Sequence, residues 1–400
     1  MLRQANAVDF WRGFALATIF INHIPGVYYS RFTHAKFSLS DSAEIFVFLA
    51  GWALRYVTRS REGRPVHLAL RLGGRVIELY AAHIVITMIA IAMLAASATI
   101  LSKPQLLEWH HAAVLFNDPV PAHLGLSLLT YQLDFFNILP LYVVLMTAAI
   151  VFAIIDRCAP NVLLPLSVLV YLVTLCAPLP IPTWPLSGQW FFNPLAWQLV
   201  FVLGFVLARE DGAGGFVRRH IGIIRWLSLP VVVAGALIMW NGWLADPEMM
   251  PEPRLFFVSN KTYATPPRLV QFMALIALVT ATYPLISRAV PSVVEFLSLL
   301  GRHSLPVFCV GSILSLAGYI ARFVWGGDLV VDTIVVVSGI AIMALTARLA
   351  EWQRRSRMRS LRRLRSSAVP KLNRTVTLPP TAVCSPDQVA SLEMRSAPQP

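Results

Sequence analysis

The sequence has few charged residues. Asp, Glu, Lys and Arg make up 13% of its 400 residues, against about 25% in an average soluble protein. So little charge excludes a soluble domain of this size, because such a domain covers its surface with polar groups. Hydrophobic residues reach 57%, and several apolar runs exceed the roughly 20 residues that cross a hydrocarbon core of about 30 Å. The composition therefore predicts an integral membrane protein.

Cysteine is also scarce. The four cysteines show neither a metal-binding spacing nor a set of pairs in the predicted outer loops, so we expect no metal site. They are Cys158, Cys176, Cys309 and Cys384. No tandem repeat is visible, which favours one helical domain. The first apolar run contains Asp9 and Arg12, and no small-residue cleavage pattern follows it, so we expect no signal peptide.

The apolar runs predict about ten spans, and hence an all-α fold, a polytopic transmembrane helical bundle. The spans lie at roughly 9–28, 43–58, 76–100, 135–155, 161–180, 192–209, 226–244, 268–288, 303–322 and 329–349. With both termini in the cytoplasm, 26 of the 33 basic residues fall on the inner side, including Arg59, Arg61 and Arg64. The remaining seven are Arg31, Lys36, Lys103, Arg254, Lys261, Arg268 and Arg322. This positive-inside bias predicts a multi-pass protein of the bacterial inner (plasma) membrane.

The net charge of +13 does not indicate a nucleic-acid partner. Eleven basic residues lie at or beyond Arg348, where they are placed to contact anionic lipid headgroups. From about Ser366 the chain is rich in Pro, Ser and Thr, which predicts disorder. We therefore expect a membrane-embedded domain over 1–350 and a basic, then disordered, cytoplasmic tail over 351–400.

Polar residues inside the first two spans are the strongest functional signal, because ionisable groups are costly in a bilayer and usually face a cavity or a partner. In span one, Arg12 and His23 are eleven residues apart and so project from one helix face, roughly 16 Å apart along the axis. Asp9 shares that side. In span two, Glu44 and Arg55 have the same spacing.

If the two polar faces meet, His23 and Glu44 come together near the outside, and Arg12 and Arg55 near the inside. A carboxylate beside an imidazole fixes its tautomer and raises its basicity, which suits a general base that acts on an alcohol. Arginines at the inner end suit the phosphates or carboxylates of a cytosolic donor.

Each of these residues also has a structural interpretation. His23 taken alone fits a packed core histidine, and Asp41 with Glu44 fits a capping box at the start of span two. Asp9 could simply pair with Arg12, and Arg55 could extend to the inner headgroups. The matched spacing on two antiparallel helices is what favours a functional role.

Several segments resemble the acyltransferase type 3 superfamily of integral membrane enzymes. They are Arg12-Gly13 with His23, the run from Glu44 to Gly51, Arg71 with Arg75 and Tyr80, and Leu300-Gly301-Arg302-His303-Ser304. The sequence departs from the superfamily pattern at Glu78, where proline is usual, and at Gly311, where histidine is frequent.

A closer resemblance is to the OpgC family, the succinyltransferases of osmoregulated periplasmic glucans. Six ordered blocks carry it, and they extend to about residue 320: 9–13, 22–26, 40–44, 133–142, 192–198 and 301–306. The resemblance implies a ten-span fold, an acyl-CoA-type cosubstrate (succinyl-CoA first) on the cytosolic side, a periplasmic glucan acceptor and a catalytic role for His23. It implies no tightly bound cofactor.

On this hypothesis His23, oriented by Glu44, deprotonates a sugar hydroxyl, and Arg12, Arg71 and Arg75 bind the donor. A covalent acyl-enzyme is a second route, although no serine-elbow motif is present to support it. Predicted acceptor contacts are Asn22, Asp41, Asp134, Asn193 and Gln198, and possible further site residues are Asp9, Arg55, His303 and Ser304. Helix capping is the alternative for Asp134, Asn193, His303 and Ser304.

Two other functions fit the same pattern. One is O-acetylation of lipopolysaccharide or exopolysaccharide, because no residue set in the sequence uniquely requires the second carboxylate of a succinyl group. The other is a glycan transporter, in which the polar faces line a permeation path. Transporters often show helices broken at the midplane and repeated hydropathy between halves, and the sequence shows neither.

Overall fold

The computed structural model describes residues 6–58 and 65–368 of the chain. This part is helical and contains no β-strand. Its α-helices are α1 Ala7–Asn22, α2 Ser42–Thr58, α3 Pro65–Ile100, α4 Val114–Asn117, α5 Pro119–Ser127, α6 Ile138–Cys158, α7 Leu163–Cys176, α8 Pro194–Leu207, α9 Gly212–Arg219, α10 Ile221–Asn241, α11 Pro266–Ala289, α12 Pro291–Arg302, α13 Ser304–Trp325 and α14 Leu329–Ala368. The all-α fold class is thus confirmed.

Each of the ten predicted spans coincides with one of these helices, but they differ in length. Within the described residues, six helices are long and apolar enough to cross a membrane: α3, α6, α10, α11, α13 and α14. α1 has 16 residues, which is roughly 24 Å of helix against a core of about 30 Å. α2, α7 and α8 are similarly short. The count of ten spans and the orientation of the termini therefore stay predictions.

Parts of two sequence predictions fall outside the described residues. Arg59, Arg61 and Arg64 of the predicted inner loop lie there, as does the tail beyond residue 368. The chain separates into a compact unit of residues 1–351 and a second unit that begins at Trp352. The domain boundary predicted at 350 stays a prediction.

Four glycines, three of them in the recognised sequence blocks, allow two pairs of helices to pack very closely. On α1, a Cβ at Gly13 would overlap the carbonyl oxygen of Leu297 in α12, and a Cβ at Gly301 would overlap that of Asp9. The same reciprocal arrangement joins Gly51 of α2 to α8 and Gly204 of α8 to α2. Only glycine permits backbones to approach this closely. These contacts fix α1 and α2, which carry five of the predicted site residues: Asp9, Arg12, Asn22, Glu44 and Arg55.

The segment between α3 and α6 and the segment between α10 and α11 contain only short helices. Residues 101–134 include α4, α5 and two 3-10 turns, Pro104–Leu107 and Trp109–His111. Residues 245–265 include the 3-10 turns Pro247–Met249 and Arg254–Phe256. The second segment places Lys261 against the start of α2, as described below.

Candidate active site

Two cavities lie within the bundle, and together they contain most of the predicted site residues. The first, here the histidine cavity, has a volume of about 610 Å³, and its lining includes Asn22, His23, Asp41, Asp134, Phe191 and Lys261. The second, here the arginine cavity, has a volume of about 480 Å³, and its lining includes Arg12, Arg71, Arg75, Glu78, Tyr142 and Ser304.

His23 lies at the end of α1, where the helix breaks. The helix ends at Asn22, and the backbone N–H of His23 donates to the carbonyl oxygen of Ile19 at 3.0 Å. Pro25 and Gly26 follow, and Gly26 adopts the left-handed φ of +74° that favours glycine. In the described structure the buried Nδ1 of His23 has no hydrogen-bond partner. The His23 side chain lines the histidine cavity, and a buried polar atom without a partner is unusual in a folded protein.

A buried ion pair on two distant helices holds the turn that follows His23. Arg322 of α13 forms an ion pair with Asp332 of α14. The guanidinium Nη2 of Arg322 donates to the carbonyl oxygen of Gly26 at 2.9 Å, and the backbone N–H of Tyr28 donates to Asp332 Oδ2 at 2.6 Å. The sequence interpretation had placed Arg322 in an outer loop without a function. These contacts fix where α1 ends.

Glu44 does not contact His23, so the expected pairing of imidazole and carboxylate is wrong. The carboxylate is fully buried, and its Oε1 accepts from Nε and Nη2 of Arg268 at 2.9 and 2.6 Å. Its Oε2 accepts from the backbone N–H of Asp41 at 2.9 Å, while Asp41 Oδ1 accepts from Ala43 N–H at 2.8 Å. These two bonds form the capping box that was the alternative interpretation. The guanidinium of Arg268 and the backbone N–H of Asp41 both donate to the Glu44 carboxylate, and so they fix its position and compensate its buried charge.

Asp41, rather than Glu44, presents its carboxylate to the histidine cavity. Its Oδ2 lies 2.5 Å from Nζ of Lys261 and 3.6 Å from Nη2 of Arg268. Burial on its own raises the pKa of Asp41, but Lys261 and Arg268 outweigh burial and hold that pKa well below its usual range. Asp41 is therefore an anion next to a cation, both at the wall of the cavity.

Lys261 is a site residue that the sequence analysis missed. Its ammonium lies 5.5 Å from the ring centres of Phe191 and of Phe192, within the range of cation–π contacts. Its backbone carbonyl accepts from the indole N–H of Trp197 at 3.0 Å. Trp197 itself is fully buried. Only the basic character of an otherwise acidic loop could have drawn attention to Lys261 in the sequence.

Strained backbone occurs at Phe135, which lines the histidine cavity, and in the nearby turn that contains His110. Phe135, His110 and His111 have φ values of +66°, +57° and +62°, which non-glycine residues seldom adopt. The Phe135 ring lies 4.9 Å from that of His23 and 5.2 Å from that of His110. Asp134 lies 3.6 Å from Nε2 of His111 and does not cap α6, which begins after Asn137. Burial lowers the pKa of His110. Such strain often marks a functional site.

Two predicted acceptor contacts lie away from the cavity. Asn193 caps α8, accepting from the backbone N–H of Leu195 at 3.0 Å and donating to Leu179 O at 2.6 Å. Gln198 exchanges hydrogen bonds with Ser167, at 2.6 Å through its Oε1 and at 2.8 Å through its Nε2. Neither residue lines the histidine cavity. Asn22 does line it, and its Oδ1 accepts from the hydroxyl of Thr33 at 2.8 Å.

The arginine cavity brings together the three predicted donor-binding arginines. Arg12 extends from α1, with Nη1 3.7 Å from Asp9 Oδ1 and within 3.4 Å of Gly301 O. Arg75 of α3 pairs with Glu78 at 2.7 Å in a partly exposed i,i+3 contact. Arg71 is exposed and forms no ion pair with the described residues. Three guanidinium groups around one cavity suit a polyanionic ligand.

The model of the OpgC protein family matches residues 3–355 of the chain. The chain belongs to the OpgC family. No curated protein matches it, and no solved structure does. Together with its apolar helices, membership of the OpgC family makes it a membrane protein of the acyltransferase type.

Of three further predicted residues in this OpgC protein, two have clear structural partners. Arg55, expected beside Arg12, instead lies 2.5 Å from Asp156 and over the ring of Phe205. Asp156 is a buried carboxylate that needs cationic partners, and Arg209 also contacts it, at 3.3 Å. It does not line the arginine cavity. The two other residues, His303 and Ser304, are neighbours in the chain. Nε2 of His303 lies 2.8 Å from Glu351, whereas Ser304 lines the arginine cavity.

Proposed function

We propose that this OpgC protein transfers an acyl group from a cytosolic acyl-CoA-type donor to a sugar hydroxyl of periplasmic glucan. Succinyl is the acyl group that we propose ahead of any other. The observation that carries the proposal is the pair of cavities. One contains a histidine with a nitrogen left without a protein partner, the other contains three arginines, and Phe308 lines both. In the predicted topology, the arginine cavity faces the cytoplasm and the histidine cavity faces the periplasm.

The donor's phosphates bind to Arg12, Arg71 and Arg75 in this proposal. Guanidinium groups bind phosphate oxygens through paired, charge-assisted hydrogen bonds. The cavity has three such groups, while Asp9 and Glu78 are the carboxylates near them. The surplus of positive charge favours a ligand with several negative charges. Ser304 at the start of α13 lies on the same wall and adds a hydroxyl donor.

Transfer takes place at His23. The imidazole takes the proton of the sugar hydroxyl, and the oxygen attacks the thioester carbonyl to form a tetrahedral intermediate. Its collapse breaks the C–S bond, and His23 returns the proton to the departing thiolate. The ammonium of Lys261 and the side-chain amide of Asn22 line the same cavity and are placed to stabilise the developing oxyanion.

Glu44 receives a different role from the one that its sequence position implied. Together with Arg268 it anchors the loop that carries Lys261 to the start of α2, where Asp41 lies. It is therefore a positioning residue. The phenylalanines at the wall, Phe135 and Phe191, offer apolar ring faces against which a sugar can pack. The surrounding lipids are the other partner, and the chemistry requires no tightly bound cofactor.

The test replaces His23 with alanine in a strain that lacks the native gene. We expect the protein to insert at normal levels while the acyl mass on purified periplasmic glucan disappears. His123→Ala is the matched control, since His123 is exposed and lies outside both cavities. Acylated glucan at the parental level in the His23→Ala strain would overturn the role of His23.

The same strain separates the acyl donors and the alternative functions. Cells fed labelled succinate or labelled acetate reveal which acyl group reaches the glucan. Label on lipopolysaccharide or exopolysaccharide, with unlabelled glucan, would instead identify an O-acetyltransferase of those polymers. Misplaced but chemically unchanged glycan in the deletion strain would indicate a transporter.

A further inference from the structure

Phe308 lies on the wall between the two cavities. Among the described residues it is the one that lines both the histidine cavity and the arginine cavity. Its side chain is 2% exposed, so the ring fills the space between them rather than extending into either. It belongs to α13, one turn after Ser304, which lines the arginine cavity.

On two other helices the lining changes from one cavity to the other within one turn. On α2, Ala43 lines the histidine cavity and Phe46, one turn later, lines the arginine cavity. On α6, Ile138 lines the histidine cavity and Tyr142, one turn later, lines the arginine cavity. The boundary between the cavities therefore crosses α2, α6 and α13 together.

Aromatic rings from these three helices form one layer at the boundary. The ring of Phe46 stacks on that of Phe308 at 6.0 Å with an interplanar angle of 23°. It also contacts Tyr142 at 5.3 Å. The hydroxyl of Tyr142 is buried and has no hydrogen-bond partner in the described part of the chain. Phe46, Tyr142 and Phe308 are here named the aromatic layer.

We propose that the aromatic layer is a gate for the acyl group, and that the ring of Phe308 sets the largest acyl group that can pass. This inference rests on the proposed function, in which a thioester bound at the arginine cavity must react beside His23. A closed ring layer also keeps water of one cavity out of the other, which protects the thioester from hydrolysis. Phe308 has only two side-chain torsions, so a rotamer change is enough to open the layer.

A labelling experiment tests the gate without any enzymatic readout. Ser30 lines the histidine cavity and is replaced by cysteine in a chain whose four native cysteines are serine. A charged, membrane-impermeant thiosulfonate is then added to one face of sealed vesicles at a time. With Phe308 present, we expect labelling from the face of the histidine cavity alone. With Phe308→Ala, we expect labelling from both faces.

The control removes an equal volume elsewhere in the bundle. Phe272 is fully buried against Phe48 and lines neither cavity, so Phe272→Ala should keep one-sided labelling. One-sided labelling of a monodisperse Phe308→Ala protein would overturn the gate. Two-sided labelling with Phe308 intact would overturn it as well, because the cavities would then already be joined.

The size limit is tested with a series of acyl donors. We expect Phe308→Ala to raise the ratio of benzoyl to succinyl transfer at least tenfold. We expect Phe308→Trp to abolish both transfers while donor binding stays within twofold. An unchanged donor ratio in an active Phe308→Ala protein would overturn the size limit. If even the parent protein transfers no acyl group, the proposed function fails, whereas the labelling result still decides whether the gate exists.

Discussion

The two cavities differ in how their charges are balanced. Two carboxylates and two cations form a neutral group beside the histidine cavity: Asp41 and Lys261, which line it, and Glu44 and Arg268, which do not. The arginine cavity has three guanidinium groups and a smaller number of carboxylates. A neutral polar wall suits an uncharged sugar, and a cationic wall suits a phosphate-bearing donor. The difference in charge indicates which substrate each cavity accepts.

The largest effect should come from breaking the neutral group. Arg268→Met leaves the buried carboxylate of Glu44 without its cation, which costs about 3–5 kcal/mol. We expect a strongly lowered Tm in detergent, or no folded protein. Arg254→Met is the control in the loop that precedes α11, because Arg254 is half exposed and pairs with an exposed Glu252. That surface pair contributes about 0–1 kcal/mol. Equal Tm losses for both variants would contradict the account of a buried neutral group.

The arginine cavity should respond in substrate binding rather than in stability. Arg75→Ala removes a partly exposed cation and with it the proposed charge-assisted hydrogen bond to the donor. Such a bond contributes about 1.5–3 kcal/mol, so its loss should raise the KM for the donor roughly 10- to 100-fold. The KM for glucan should not change. Glu78→Gln removes a negative charge from the same cavity and should lower the donor KM. Steady-state transfer in proteoliposomes measures both, and a rise in donor KM for both variants would refute the charge argument.

The contrast between the cavities also shows what the sequence can predict. Arg12, Arg71 and Arg75 come from α1 and α3, where helical periodicity and recognised sequence blocks place them in one region. The partner of Glu44 is Arg268, which is 224 residues away in the chain. Helical periodicity predicts which face of a helix a side chain occupies. It cannot predict which segment, distant in the chain, will pack against that face. The pairing with His23 failed for this reason.

Span predictions show the same limit. All ten predicted segments are helical, because apolar runs specify helices in a membrane protein. Their lengths depend on local breaks that tertiary contacts stabilise. α1 ends at Asn22, where Arg322 and Asp332 hold the following turn. Pro25 and Gly26 follow the end of α1 in the sequence, but the ion pair that fixes this turn connects residues of two other helices.

A smaller effect is expected at Lys261, the cation that lines the histidine cavity together with His23. Lys261→Met should lower kcat about tenfold through the loss of oxyanion stabilisation of about 1.4 kcal/mol. Lys261→Arg keeps the charge and should recover part of the rate. Rapid-quench measurement of acyl transfer separates this loss from weaker glucan binding. A normal kcat with a raised KM for glucan would make Lys261 an acceptor contact instead.

The same substitution should change the pH dependence of stability. Lys261 lowers the pKa of Asp41 in the folded state. The ionised Asp41 therefore stabilises the fold at every pH above its pKa in the unfolded chain, about 3.9. This stabilisation is lost as the pH falls through the lower pKa that Asp41 has in the folded protein. Lys261→Met should therefore begin to lose stability at a higher pH than the parent. Thermal unfolding in detergent across the acidic range measures this, and parallel curves for the two proteins would contradict it.

The smallest effect is expected at Asn193, where the structure replaces a predicted substrate contact with a helix cap. Asn193→Ala removes the side-chain bond to Leu195 N–H, which costs about 1 kcal/mol of stability. Asn193→Asp retains the cap acceptor and should lose less. Neither variant should change the KM for glucan, because Asn193 does not line the histidine cavity. A raised glucan KM with unaltered Tm would return Asn193 to the acceptor site, and the cavity would then have to extend beyond Phe192 toward the start of α8.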